Sequence, residues 1–128
     1  MRHLLAALAL AVSFSAAPAD ATWKPEYAQA PQAVRDWYSN AQLTPAASQR
    51  LKIVSCCASS DVVRAQFRVE KKTGRRGDEW WYLAGATWKR VPPDIIHWDE
   101  HAPDGMPTLF ILSGSNVETC FYPPDGGI

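Results

Sequence analysis

The chain has 128 residues, with thirteen Lys or Arg and thirteen Asp or Glu, so its formal net charge at pH 7 is zero. This length suits one domain with a modest hydrophobic core. Beyond the N-terminus no segment is apolar over the ~20 residues that a membrane-spanning helix needs. From size and hydropathy we therefore expect one domain and, after the N-terminus, no transmembrane helix.

The first residues have the order of a secretory signal peptide. A basic start, "MRH", precedes the apolar run "LLAALALAVSF" and the small-residue stretch "SAAPADA". The A-x-A pattern places cleavage after Ala21, with cleavage after Ala19 as the alternative. We therefore predict a signal peptide over residues 1–21, a single globular domain over 22–128, and a periplasmic or secreted location. An exported protein rarely meets nucleic acid, so we expect no nucleic-acid partner. Because no later segment is apolar for long enough, we also expect no membrane span after signal cleavage.

The charges are sorted along the chain. Residues 50–90 contain ten Lys or Arg and four Asp or Glu, a net of +6, whereas residues 91–128 contain six acids and no Lys or Arg, a net of −6. We expect the two halves to attract one another in the fold. The alternative is a basic face that binds an anionic partner.

Hydrophobic periodicity predicts an α+β fold. Apolar residues at i, i+3, i+4 and i+7 in "PQAVRDWYSNA" predict an amphipathic helix over residues 31–41. Alternation predicts one strand over 62–70 and two more over 79–84 and 87–91, joined as a meander, and a hairpin over 108–122. We expect the N-terminal helix to pack on a mainly antiparallel sheet of about five strands, either open or curled into a small barrel.

The stretch "HWDEH" is a weak candidate for a metal site, through His97, Asp99 and His101. Histidines at i and i+4 converge on a metal when they lie on a helix, but prolines on both sides disfavour a helix here. We therefore expect a solvated loop, with no metal and no cofactor. The enzymatic alternative gives His97, Asp99 or Glu100 a role as acid or base. No G-x-S-x-G motif of a serine hydrolase is present. We expect no catalytic residue.

Tryptophan is abundant for so small a domain, with six in the chain. Two adjacent indoles in a strand must face opposite sides of the sheet, so one belongs to the core and the other is either exposed or covered by the helix. Exposed Trp beside Arg is typical of binding surfaces. The predicted binding surface comprises Trp80, Trp81, Trp88, Arg75 and Arg76.

The three cysteines cannot all pair within one chain. An exported protein meets an oxidising compartment, so we expect one disulfide between Cys120 and the "CC" pair. Cys57 is the favoured partner because it is nearer the following strand, and Cys56 is the alternative. The remaining thiol is then either buried or able to form a dimer.

Four motifs carry a resemblance over nearly all of residues 22–128: "PQAVRDWY", the "CC" pair, "GATWKRVPP" and "CFYPPDGGI". Together they resemble an uncharacterised family of small exported proteins from alphaproteobacteria and their prophages. The resemblance implies a location and a family but no activity. From the residues we predict a non-catalytic exported domain that binds an unknown protein or envelope polymer. The alternatives are a small cell-envelope hydrolase and a structural envelope component.

Overall fold

The computed structural model describes residues 29–58 and 60–125, and of Arg75 it describes the backbone but not the side chain. The predicted signal peptide and its cleavage site therefore lie outside the described residues. These residues form an α+β structure of two helices and two three-stranded antiparallel sheets. Among the described helices, none is long and apolar enough to cross a membrane.

Two short helices come first in the described chain. Helix α1, Gln32–Asn40, confirms the predicted amphipathic helix, and the carbonyl of Pro31 accepts the first hydrogen bonds of this helix. Helix α2, Pro45–Leu51, was not predicted. It begins at Thr44, whose hydroxyl accepts the N–H of Ala47 at 3.2 Å, and proline suits the first helical position that follows.

The predicted strand over 62–70 is wrong as one element. Strand β1, Ser60–Val63, and strand β2, Phe67–Glu70, belong to different sheets, and residues 64–66 cross between the sheets. Strands β3, Glu79–Ala84, and β4, Thr87–Arg90, pair with β2 in the order β2-β3-β4, which confirms the meander. Gly85, with φ of 63°, supplies the left-handed turn between β3 and β4.

The predicted hairpin forms the other sheet. Strands β5, Thr108–Leu112, and β6, Glu118–Tyr122, pair with each other, and β1 pairs with the free edge of β5. The six strands thus form two open sheets, so the expected single sheet of about five strands and its barrel alternative are both wrong. The prolines at 92 and 93 interrupt the chain after β4, where a 3₁₀ turn, Pro93–Ile95, follows.

The core lies where the last strand meets both the helix and the meander. Strand β6 is buried along its whole length. The ring of Phe121 packs 5.5 Å from that of Phe67 and 5.4 Å from that of Trp80, which joins the two sheets. On the other side of the sheet Trp37 of α1 meets the ring of Tyr122 at 4.7 Å. Helix α1 therefore packs on the face of the β1-β5-β6 sheet that is opposite the meander.

Ion pairs connect the basic and acidic parts of the chain, as expected from the sorted charges. The buried partner is Glu118, which accepts the hydroxyl of Tyr82 at 2.7 Å and lies 3.1 Å from the ammonium of Lys89. These contacts link β6 to the meander through a buried carboxylate. Three exposed pairs also join the two parts: Arg50–Asp94, Arg64–Asp104 and Arg76–Asp99.

The disulfide joins Cys56 and Cys120, with a sequence separation of 64 residues and a Cα–Cα distance of 5.8 Å. The expectation of a disulfide is thus met through the alternative partner, and the preference for Cys57, which is a free thiol, is wrong. The reason is local. The N–H of Cys56 donates to the carbonyl of Ala41 at 2.9 Å, and this bond holds Cys56 inside the core, where both bonded cysteines are fully buried.

Removing this disulfide should cost much of the stability of so small a domain. A bond that closes a loop of this length contributes about 4 kcal/mol in the chain-entropy account. We expect Cys120→Ala to lower the free energy of unfolding by about 2–5 kcal/mol in urea titrations. Cys57→Ser is the matched control and should change it by less than about 1 kcal/mol, since Cys57 is only half-buried. Equal losses in the two variants would contradict the observed pairing.

Candidate functional site

The meander presents an aromatic and cationic outer face. Trp80 is 3% exposed and faces the core, so its neighbour Trp81 lies on the opposite side of the sheet, as predicted for adjacent indoles. Strand register places Arg68 opposite Trp81. The guanidinium carbon of Arg68 lies 5.3 Å from the ring centroid of Trp81 and 4.7 Å from that of Trp88. One cation therefore contacts two indoles, an arrangement that is favourable through the quadrupoles of both rings.

Arg68 differs from the other cations of the meander in having no acidic partner within 4.0 Å among the described residues. The remaining cations of this region with described side chains all lie within that distance of a carboxylate. They form the pairs Lys71–Asp78, Lys72–Glu70, Arg76–Asp99, Lys89–Glu118 and Arg90–Glu79. The charge of Arg68 is thus exposed and held by two aromatic rings, but it is not neutralised by a neighbouring acid.

The predicted binding surface is therefore only partly assembled. Trp81 and Trp88 come together on the outer face, which we call the indole face, defined by Trp81, Trp88 and Arg68. Trp80 lies in the core, and Arg76 forms an ion pair with Asp99. Arg68 was missed because its partners are thirteen and twenty residues away, although its position between Phe67 and Val69 already placed it on the outer side of an alternating strand.

The candidate metal ligands of "HWDEH" diverge. The ring of His97 lies 3.3 Å from Glu100, His101 lies 3.6 Å from Asp125, and Asp99 forms an exposed pair at 2.8 Å with an arginine of the meander loop. His97 and His101 line different cavities. The segment contains no helix that would direct the two histidines to one side. This set of three residues does not form a common site.

His97 packs on Tyr122 in the core, a position that its spacing in the sequence did not indicate. Its ring stacks on that of Tyr122, with centroids 4.2 Å apart and planes inclined by 3°. The hydroxyl of Tyr122 lies 3.8 Å from Sγ of Cys56, so the imidazole sits beside the disulfide. Burial lowers the pKa of His97, while the charge of Glu100 and the Gln42 backbone oppose that shift. His97 is therefore held as a neutral imidazole to lower pH than a solvated histidine.

A cavity of about 580 Å³ opens between helix α1 and this histidine. His97, Glu100, Tyr122 and Trp37 line it, together with residues that follow α1. A second cavity of about 630 Å³ lies beside Trp80, Trp98 and His101. Asp99 lines neither of these two cavities, so the acid–base set of the hydrolase alternative is not gathered in either.

The free thiol of Cys57 is not activated. It is half-buried, and burial together with the charge of Asp61 raises the pKa of the Cys57 thiol. Thiolate is the reactive form of cysteine. A raised pKa therefore disfavours Cys57 as a nucleophile. The dimer that could form through a Cys57 disulfide stays a prediction.

Stability should depend on pH through His97. Because burial lowers its pKa below the ordinary 6.5, the unfolded chain binds a proton more readily than the folded chain. The free energy of unfolding should therefore decrease as pH falls through about 6.5 and level off below the folded pKa. We expect His97→Gln to reduce this decrease in urea titrations between pH 7 and 5.

A direct measurement follows the imidazole itself. The ring proton resonances of His97 should titrate with a midpoint below 6.5, and Glu100→Gln should lower the midpoint further because Glu100 favours the charged ring. A midpoint at or above the ordinary value would contradict the burial of this side chain.

No family model, no curated protein and no solved structure matches the chain. Membership of the family that the four motifs resemble stays a prediction.

Proposed function

We propose that the protein is a non-catalytic binding domain of the cell envelope and that the indole face binds a carboxylate-bearing glycan there. The observation that carries this proposal is the guanidinium of Arg68, exposed, without an acidic partner among the described residues, and in contact with two indoles. Its charge is complementary to a carboxylate, which planar guanidinium groups bind through two parallel hydrogen bonds.

The aromatic rings favour a glycan over other acidic partners. Trp81 and Trp88 are half-buried and lie on a sheet, so their orientation is fixed before a ligand arrives. Flat, rigid apolar rings offer a stacking surface for the apolar faces of sugar rings. Because the rings are already ordered, binding loses little side-chain entropy. A repeated acidic sugar would place its ring on an indole and its carboxylate on Arg68.

Linear oligogalacturonate is a suitable probe, because each sugar unit carries a carboxylate. We expect it to bind the purified protein, with a change in tryptophan fluorescence, and we expect neutral dextran not to bind. Arg68→Gln should weaken binding about tenfold or more, the loss of roughly 1.4 kcal/mol expected for a central arginine of a binding surface. Arg68→Lys should also weaken binding, because lysine keeps the charge but loses the planar group.

Arg76→Gln is the matched control, since it removes one exposed arginine from the same meander that is already paired with Asp99. It should leave affinity for oligogalacturonate nearly unchanged. Equal losses in the Arg68 and Arg76 variants would indicate nonspecific attraction between a basic surface and a polyanion. Equal binding of polyglutamate and oligogalacturonate would indicate an acidic polypeptide partner and contradict the glycan.

The alternatives have less support from the geometry. A hydrolase would rely on His97 and Glu100, which share the cavity beside α1, whereas Asp99 lies in an exposed ion pair. A structural envelope component requires self-association, which sedimentation of the purified protein would reveal. Neither alternative accounts for the unneutralised cation on the indole face.

A further inference from the structure

The disulfide and one histidine beside it form a group of three potential metal ligands. One ligand atom from each of Cys56, His97 and Cys120 lies within 4.8 Å of the other two, and no further group of three His, Cys, Asp or Glu does so in the described part of the chain. Both sulfurs are fully buried and the histidine is largely so. Two thiols and an imidazole are the ligand types that zinc prefers in proteins. In the oxidised chain the two sulfurs are bonded to each other instead.

The imidazole is oriented as metal-bound histidines are. Nδ1 of His97 lies 3.3 Å from a carboxylate oxygen of Glu100, and stacking on Tyr122 fixes the plane of the ring. Nε2 is buried and has no hydrogen-bond partner among the described residues. A carboxylate beside one ring nitrogen directs the proton to that side and leaves the other lone pair available to a metal.

We propose that the reduced protein binds Zn²⁺ through Cys56, Cys120 and His97, so that the disulfide and the metal are alternative ways of closing the same core. A dithiol reductant first exchanges with the disulfide. The Cys56–Cys120 bond breaks and the dithiol becomes a cyclic disulfide. The two thiol hydrogens of the reductant pass to the two cysteine sulfurs, so that both cysteines become thiols. Zn²⁺ then replaces the two thiol protons, which pass to solvent, and Nε2 of His97 supplies a lone pair.

The backbone is already close to what such a site needs. Two thiolates bound tetrahedrally at about 2.3 Å from zinc lie about 3.8 Å apart. The Cα atoms of Cys56 and Cys120 are 5.8 Å apart, so rotation of the two side chains opens the required space with little movement of the chain. His97 and Tyr122 line the cavity beside α1, and the Tyr122 hydroxyl lies 3.8 Å from Sγ of Cys56. That cavity leads from solvent to the imidazole that would hold the ion.

The experiment compares one protein in two redox states. Cys57→Ser serves as the background, because it removes the free thiol outside the cluster. After reduction by a non-thiol phosphine, we expect one Zn²⁺ per chain in competition with a chromophoric chelator, and much weaker binding before reduction. Co²⁺ in place of Zn²⁺ should give thiolate-to-metal charge-transfer absorption in the reduced protein alone.

The histidine ligand is tested in the same background without altering the cysteines. His97→Ala should weaken zinc binding by the reduced protein at least about tenfold. His101→Ala is the matched control, because this second histidine lines a different cavity, and it should leave zinc affinity unchanged. Circular dichroism of the oxidised variants verifies that each has folded before reduction.

The fold of the reduced protein provides an independent readout. If reduction unfolds the domain, one equivalent of Zn²⁺ should restore the near-ultraviolet circular dichroism, because metal binding to a folded-state site stabilises that state. Zinc binding that is equal in both redox states, or equal in the His97 and His101 variants, would overturn the proposal. So would a reduced, unfolded chain that one equivalent of zinc does not refold.

Discussion

The structure depends on the burial of β6, whose residues from Glu118 to Tyr122 are all shielded from solvent. A strand buried on both faces must find partners for every side chain, and here each partner belongs to a different part of the domain. Cys120 bonds to the segment after α2, Phe121 packs on the meander, and Tyr122 meets helix α1. Two small sheets that would be marginal by themselves thereby share one core.

Local pattern predicted the elements better than their arrangement. The meander and the β5-β6 hairpin followed from alternation and turn residues, because both depend on contacts between segments close in sequence. The break between β1 and β2 could not be found in this way, since Ala65 continues the apolar alternation across the crossing. Helix α2 had a readable start in Thr44 and Pro45, but seven residues give too short a periodic pattern.

For the candidate sites too, the sequence predicted local features but not the contacts between distant segments. Opposite faces for Trp80 and Trp81 follow from strand geometry alone, whereas the contact of Arg68 with Trp88 requires the register of three strands. The choice of Cys56 over Cys57 is set by a hydrogen bond to Ala41, in a bend where alternation does not apply. The approach of His97 to the disulfide depends on the whole core being formed, and no sequence spacing indicates it.

The place of β6 near the end of the chain has a consequence for the order of folding. A ribosome delivers residues from the N-terminus onward, so helix α1, strand β1 and the meander emerge before the strand that completes their shared core. Contacts between positions 56 and 120, or 82 and 118, close long loops that give no stabilisation until the last segment arrives. The nascent chain therefore lacks its main source of cooperativity during most of its synthesis. Until β6 has been synthesised, such a chain offers little resistance to unfolding.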